Sequence, residues 1–185
     1  MTIHQTDFPP GSLVKHRYFV ALRPPAEAVR AMAGIQREIA VSDRVSPDRL
    51  HMTLFITDDF ETEPRALGPA MAAALDRVRA DAFDVALSRI GHRGGSLVTS
   101  RAPALRRFQS AVAGALTQAG IVPRAGWAFN PHVTLGYDAL PAFAGRPIDP
   151  IAWRARDFVL IHSLLRLTMH RTLGTWALIE QPRLL

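Results

Sequence analysis

The pattern of hydrophobic and polar positions divides the chain into short strands and three helices. At 83–88, Phe, Val and Leu alternate with Asp, Ala and Ser, which is the period of two typical of a half-buried strand. Short apolar runs of this kind predict strands at 17–22, 50–56, 83–88, 96–100, 129–137, 158–167 and 175–181. Helical spacing of apolar residues predicts three helices, marked by the stripes Ala28–Met32–Ile35–Ile39, Leu67–Met71–Leu75–Val78 and Leu105–Phe108–Val112–Leu116–Ala119.

Proline and glycine mark the ends of several of these elements. Pro24 and Pro25 precede the first helix, Pro103 begins the third helix, and Gly120 ends it. The pair Gly94-Gly95 is typical of a hairpin turn between two strands.

Three further segments are predicted to be irregular. These are a lead-in at 1–15, a proline-containing loop at 138–150 and a turn at 170–174. The resulting order is β α β α β β α β β β, and no linker is rich enough in Gly, Ser or Pro to separate independent domains. The sequence therefore predicts one two-lobed domain over 1–185.

Two of the predicted strands carry the same four-residue motif. His51-Met52-Thr53-Leu54 and His132-Val133-Thr134-Leu135 both read His-x-Thr-Leu, and they begin 132 − 51 = 81 residues apart. Because residues i and i+2 of a strand share a face, each motif presents an imidazole beside a hydroxyl and turns its two apolar residues to the core. A single motif of this kind is most simply interpreted as a hydrogen-bonded histidine in a half-buried strand. The occurrence of two such motifs favours a site in which two histidines and two threonines surround one cleft.

Composition narrows the classes of function. The chain has 185 residues, 48% of them hydrophobic, and a formal net charge of +6. Lys15 is the single lysine, and the other 21 of the 22 basic residues are arginines, whose planar forks suit phosphate. Genome base composition can produce the same excess of arginine, so this charge permits a nucleic-acid partner without demanding one.

The absence of cysteine excludes disulfides, thiolate nucleophiles and cysteine metal sites. The first ten residues contain no apolar run of signal-peptide type, and no stretch of the sequence is long and apolar enough to span a membrane. We therefore expect a cytoplasmic protein with no membrane association.

The paired motifs resemble those of the two-histidine (2H) phosphoesterase superfamily, and within it the RNA 2′,3′-cyclic phosphodiesterase or 2′-5′ RNA ligase family. Supporting similarities are the strand at 17–22 followed by proline, the segment 47–50 before His51, Asn130-Pro131 before His132, and Leu160 to Ser163. The resemblance implies an α+β fold that is bilobal and pseudo-duplicated, with antiparallel sheets lining a central cleft and helices on the outside.

The resemblance also implies an activity and the residues that perform it. The activity is opening of a terminal 2′,3′-cyclic phosphate to a 2′-phosphate, and some family members run related chemistry backward to join RNA ends. His51 and His132 would be the catalytic pair, with Thr53 and Thr134 binding the phosphate. No metal and no other cofactor is implied.

These residue types suit the reaction. Histidine titrates near pH ~6.5, so one imidazole can accept the proton of the attacking water while the other gives a proton to the departing ribose oxygen. The threonine hydroxyls can donate to the non-bridging oxygens of the phosphate. The sequence does not assign which histidine is the acid.

Two aromatic residues are weaker candidates for substrate binding. The family commonly has an arginine where this chain has Tyr137, and tyrosine offers a neutral hydrogen bond or a stacking surface but no cationic fork. Phe19, in the first strand, could stack on a base or could be an ordinary core residue.

The partner and the substrate stay open at this point. RNA ends are one expectation, and a small cyclic nucleotide or an ADP-ribose cyclic phosphate is another. A non-catalytic RNA- or nucleotide-binding module is a third possibility, and a zinc site lacks an evident third ligand. A monomer without a protein partner is expected.

The other histidines are expected outside the site. His170 is expected at a surface turn, and His162 is expected as a structural histidine in an apolar strand. The sequence does not select Arg49, Arg124 or Arg166 over the other arginines as residues lining the cleft.

Overall fold

A computed structural model describes residues 14–41, 43–91, 95–99, 102–137 and 145–180. Within these ranges the chain forms eight strands and three helices. In chain order they are β1 His16–Leu22, α1 Ala26–Glu38, β2 Met52–Ile56, α2 Leu67–Leu75, β3 Phe83–Ile90, β4 Ser96–Val98, α3 Pro103–Gln118, β5 His132–Thr134, β6 Pro147–Ala155, β7 Asp157–Leu164 and β8 Met169–Ala177.

The strands form two four-stranded sheets, with the orders β2-β1-β7-β8 and β5-β4-β3-β6. Every pairing within the two sheets is antiparallel. The α+β fold class with two antiparallel sheets is therefore confirmed. The strand that follows His51 lies at the edge of the first sheet, and the strand that begins with His132 lies at the edge of the second. These two edge strands, β2 and β5, lie next to each other.

One large hydrophobic core joins both sheets to the helices. It includes Val20 of β1, Leu97 of β4, Val133 of β5 and the buried stripe of α3. A second, smaller cluster lies on the opposite face of the first sheet and consists of Phe19, Ala21, Val159 and Ile161. The period of two along β1 thus sends alternate side chains to the main core and to this second face, where the residues of interest lie.

The segment before the first motif is bound to the segment after the second. Val45 donates its N–H to the carbonyl of Leu135 at 2.9 Å, and the buried side chain of Gln36 in α1 donates to both Val45 O and Leu135 O. A Cβ at Gly136 would overlap Cγ1 of Val41. Glycine is therefore required at this close approach, which fixes the two motif strands relative to each other.

Two strand predictions were wrong in their bounds. β5 covers His132–Thr134 rather than 129–137: Pro131 has no N–H to contribute to a ladder before it, and after it the N–H groups of Leu135 and Tyr137 donate to Gly95 and Asp43. β6 runs over Pro147–Ala155, where we expected the end of a loop at 138–150. Its prolines are tolerated because β6 is an edge strand of its sheet, where a missing N–H breaks no required pairing.

The last hairpin also differs from the prediction. β8 begins at Met169, so the turn lies at 165–168 instead of 170–174. Arg166 and Thr168 adopt positive φ in this turn. Positive φ is uncommon for residues other than glycine, so the sequence did not predict the turn at this position. By contrast, the end of the third helix at Gly120 is confirmed, since this glycine has φ +76 just after the last helical turn.

Several sequence predictions fall outside the described residues. These are most of the lead-in at 1–15, Gly94 of the predicted hairpin turn, Ser100, the loop at 138–144 and Gln181.

Candidate active site

His51 lies immediately before β2 and after a single 3₁₀ turn at Pro47–Arg49. Its Nδ1 atom is 2.6 Å from the carbonyl oxygen of Arg49. A carbonyl oxygen only accepts, so Nδ1 carries the hydrogen and donates it. In the neutral ring the lone pair is then on Nε2, the atom free to act on a ligand.

His132 repeats this arrangement in the second sheet. It is the first residue of β5, and its Nδ1 atom is 2.7 Å from the carbonyl oxygen of Asn130, again two residues earlier. Nδ1 therefore carries a hydrogen here as well, and Nε2 is free. Both motifs therefore hold their imidazoles in the same tautomer and by the same local contact.

The threonines follow their histidines at the next position on the same face. Thr53 pairs with Ala21 of β1, and Thr134 pairs with Ser96 of β4; both threonines are half-buried. The predicted turning of the apolar motif residues to the core is confirmed, since these side chains are fully buried: Met52, Leu54, Val133 and Leu135.

The ring of Phe19 covers one face of the His51 imidazole. The two rings stack with centroids 4.7 Å apart and an interplanar angle of 25°. Phe19 is only 3% exposed and belongs to the small apolar cluster on this face of the sheet. The ring of His51 consequently has hydrocarbon on one side, which separates it from water.

A third histidine, His170, completes this group of rings. Its ring meets Phe19 edge-on at 5.2 Å between centroids and His51 edge-on at 5.6 Å. The prediction that His170 lies at a surface turn was wrong, because the residue is half-buried in β8, opposite Ser163 of β7. If the predicted strand had begun at Met169, the period of two would have placed His170 and Thr172 on the same face of the sheet.

Burial dominates the electrostatics of the group. It lowers the pKa of His51 to about 4; the hydrogen bond to Arg49 O opposes this shift, and the neighbouring Arg49, Arg23 and His132 side chains add to it. Burial likewise lowers the pKa of His170 to about 4, with His51, Arg49 and Arg23 contributing. Both rings are therefore neutral at pH 7.

Two arginines lie beside these histidines. Leu22 of β1 pairs with Met52 of β2, and one further step along this register brings Arg23 opposite His51 on the same face. Arg49 has a buried Nε atom with no hydrogen-bond partner among the described residues. The sequence does not single out Arg23, because only the register of β1 and β2 brings it to His51.

Other predicted residues lie elsewhere. Arg124 forms ion pairs with Asp58 and Asp59 rather than joining the histidines. His162 is 2% exposed and stacks on Tyr18, in the structural role expected of it. Tyr137 is 66% exposed, and its backbone N–H donates to the carbonyl of Asp43 at 3.2 Å.

The part of the chain that the structure describes contains no group of three His, Cys, Asp or Glu side chains placed to hold a metal ion. None of its helices has the length and apolar character needed to cross a membrane.

The family model of the 2′-5′ RNA ligase superfamily matches residues 21–173. In a sequence search, no curated protein gives a significant match. Escherichia coli LigT complexed with 3′-AMP is 24% identical, covers 89% of this chain and 98% of its own, and superposes with a TM-score of 0.74.

Other solved structures share the fold at similar distance. TT0787 of Thermus thermophilus is 21% identical, covers 87% of this chain and 97% of its own, and has a TM-score of 0.71. A structure described as a phosphoesterase is 23% identical over 88% of this chain and 98% of its own, with a TM-score of 0.75. E. coli LigT has also been crystallised with ATP and with NADP+.

Proposed function

This chain belongs to the 2′-5′ RNA ligase superfamily of two-histidine phosphoesterases, and on that premise we propose that it opens 2′,3′-cyclic phosphate ends of RNA or nucleotides to 2′-phosphates. The observation that carries the proposal is the matched pair of Nδ1 contacts at 2.6 and 2.7 Å, which leave Nε2 free on both His51 and His132. The two sheets would then act as the lobes of one catalytic domain.

In this mechanism His51 is the general base. Its lowered pKa keeps Nε2 unprotonated at neutral pH, where it accepts a proton from water as the water oxygen attacks phosphorus. The new bond is between that oxygen and phosphorus, and the bond that breaks joins phosphorus to the 3′ oxygen. His132 is the general acid: it enters the step as the imidazolium, keeps the Nδ1 hydrogen on Asn130 O and gives its Nε2 proton to the departing 3′ oxygen.

The phosphate then stays on the 2′ oxygen. Thr53 and Thr134 donate their hydroxyl hydrogens to the non-bridging oxygens, which gain negative charge in the transition state. Phe19 holds the ring of His51 in place and shields it from water, and Tyr137 contributes at the exposed rim of the cleft. No metal ion takes part in this scheme, since the histidine pair supplies both proton transfers.

The substrate class is supported from two directions. The related E. coli LigT has been crystallised with 3′-AMP, ATP and NADP+, all of which are nucleotides. In this chain the arginines beside His51 suit an anionic ligand. If the 5′-hydroxyl of a second RNA end takes the place of water in this attack, and the same bond between phosphorus and the 3′ oxygen breaks, the product is a 2′-5′ phosphodiester, which is the proposed ligation.

A product assay tests the proposal. The protein is incubated with 2′,3′-cyclic mononucleotides and with cyclic-phosphate-ended oligonucleotides in the presence of EDTA, and the position of the phosphate in the product is determined. We expect ring opening that resists EDTA and yields only the 2′-phosphate. Opening abolished by EDTA and restored by zinc would favour a metal site, whereas tight binding without turnover would favour a non-catalytic binding module.

A further inference from the structure

A cavity lies where the chain passes from one sheet to the other, and Arg23, the register neighbour of His51, is part of its lining. β6 of the second sheet ends at Ala155 and β7 of the first begins at Asp157, so the two strands meet at this point. The cavity has a volume of about 390 Å³ and is lined by residues of both sheets. Among them are Arg23, Arg154, Arg156, Val159 and Thr175.

Strand register connects this cavity to the first motif. Ala21 of β1 pairs with Thr53 on one side and with Val159 on the other, and Val159 pairs with Thr175 of β8. One row of side chains therefore leads from Thr53 to the cavity on a single face of the sheet. Neighbouring strands are about 4.8 Å apart, so Val159 lies roughly 10 Å from Thr53, a span on the scale of one nucleoside.

Arg23 lies both beside His51 and in the lining of the cavity. It follows β1 on the face of Ala21, opposite His51 by register, and it lines the cavity. Arg23 forms no ion pair with any carboxylate among the described residues. Its guanidinium is therefore available to an anion that reaches from the histidines into the cavity.

The other two arginines are partly neutralised. Arg154 and Arg156 share Glu180, at 3.0 and 3.1 Å, and Arg154 also lies 3.5 Å from Asp84. They can orient a ligand, while the lining charges that form no ion pair among the described residues are the guanidinium of Arg23 and the carboxylate of Asp157.

We propose that this cavity binds a second phosphate of the substrate, the one on the 5′ side of the nucleoside whose cyclic phosphate is opened between His51 and His132. The inference rests on the proposed function for the position of the first phosphate. It makes the preferred substrate a nucleotide with two phosphates one ribose apart. The second phosphate can be a 5′-monoester, the next diester of an RNA chain or the diphosphate of an ADP-ribose derivative.

Binding tests the cavity independently of turnover. Calorimetry compares a nucleoside 2′-phosphate with the same nucleoside 2′,5′-bisphosphate. We expect the 5′-phosphate to tighten binding about tenfold or more, the usual effect of a charge-assisted hydrogen bond. Arg23→Gln should remove most of this preference and Arg156→Gln part of it, whereas Arg30→Gln, at an exposed position of α1, should keep it. Equal affinity for the two ligands, or a preference unchanged in Arg23→Gln, overturns the proposal.

Turnover distinguishes the sources of the second phosphate. The ratio of kcat/KM relative to an unphosphorylated cyclic mononucleotide is measured for its 5′-phosphorylated form, for a cyclic-phosphate-ended dinucleotide and for an ADP-ribose cyclic phosphate. A ratio of about ten or more for one of these compounds, lost in Arg23→Gln, supports phosphate binding in the cavity and identifies which second phosphate is bound. Ratios near one for all three compounds overturn the proposal. Because each is a ratio, effects of Arg23 on His51 cancel. If none of these compounds is opened, the proposed function fails, and the calorimetric comparison still decides the cavity.

Discussion

The half-buried imidazole of His51, which stacks on Phe19, should make the protein less stable at mildly acidic pH. Burial lowers its pKa to about 4 in the folded protein, whereas a histidine in the unfolded chain titrates near 6.5. Between these values the unfolded state binds a proton that the folded state does not, so the free energy of unfolding must fall as pH falls. The loss begins near the unfolded pKa and is complete below the folded one.

The two pKa values fix the size of this effect. At pH 5 an unfolded histidine is almost fully protonated, while a ring with a pKa of about 4 is mostly neutral. The linkage relation then gives a loss of about 2 kcal/mol between pH 7 and pH 5 from His51 alone. His170 has the same direction of shift, and because it is closer to solvent we allow it about 1 kcal/mol.

Urea unfolding followed by tryptophan fluorescence measures this loss. The change His51→Gln replaces the ring with a group that does not titrate, so the difference in unfolding free energy between pH 7 and pH 5 should shrink by about 2 kcal/mol. Comparing the difference, rather than either value, cancels the packing cost of the substitution. Arg30→Gln should leave the difference unchanged. A His51→Gln protein with the same difference as the wild type would refute the reasoning about burial.

Three other outcomes are expected. The kcat/KM for ring opening should fall on the acidic side near pH 4, following protonation of His51 in the free enzyme, and a fall near pH 6.5 in a pH–rate profile would contradict its assignment as a buried base. Gly136→Ala drives a Cβ into Cγ1 of Val41 and to 2.7 Å from the carbonyl oxygen of Asp43, and it should cost about 3 kcal/mol or more in urea unfolding. Gly114→Ala, in a helix with nothing within 4 Å, should instead stabilise by about 0.5–1 kcal/mol; equal effects of the two would disprove the close approach. Thr134→Val should lower kcat about 10²–10³-fold by removing one donor to the phosphate, and an unchanged kcat would remove this threonine from the site.

Local patterns were enough to predict much of the fold. The period of two around His51 and His132 fixes which side chains of β2 and β5 enter the core, because alternation along a strand decides the face. The third helix was predicted with its ends, since Pro103 and Gly120 mark them in the sequence. These features depend on residues a few positions apart.

Features set by tertiary structure were not predicted. Prolines 147 and 150 argue against a strand, and only the edge position of β6 in its sheet permits one there. The contact of His170 with Phe19 and His51 depends on how β7 and β8 pair beside β1.

Arg23 was missed for a related reason. Nothing in its own neighbourhood distinguishes it from the other arginines, and its place beside His51 follows from the register between β1 and β2. Register is decided by the packing of whole strands against the core rather than by any short motif.

The assignment of His51 as the general base and His132 as the general acid is tested most directly by changing the leaving group. A nitrophenyl phosphodiester releases a stable phenolate that needs no proton, whereas a 2′,3′-cyclic phosphate releases a ribose oxygen that does. We predict that His132→Ala loses about 10²–10⁴-fold in kcat on the cyclic substrate but little on the nitrophenyl ester, while His51→Ala loses activity on both. The reverse pattern, or near-normal kcat of either variant on the cyclic substrate, would contradict the account.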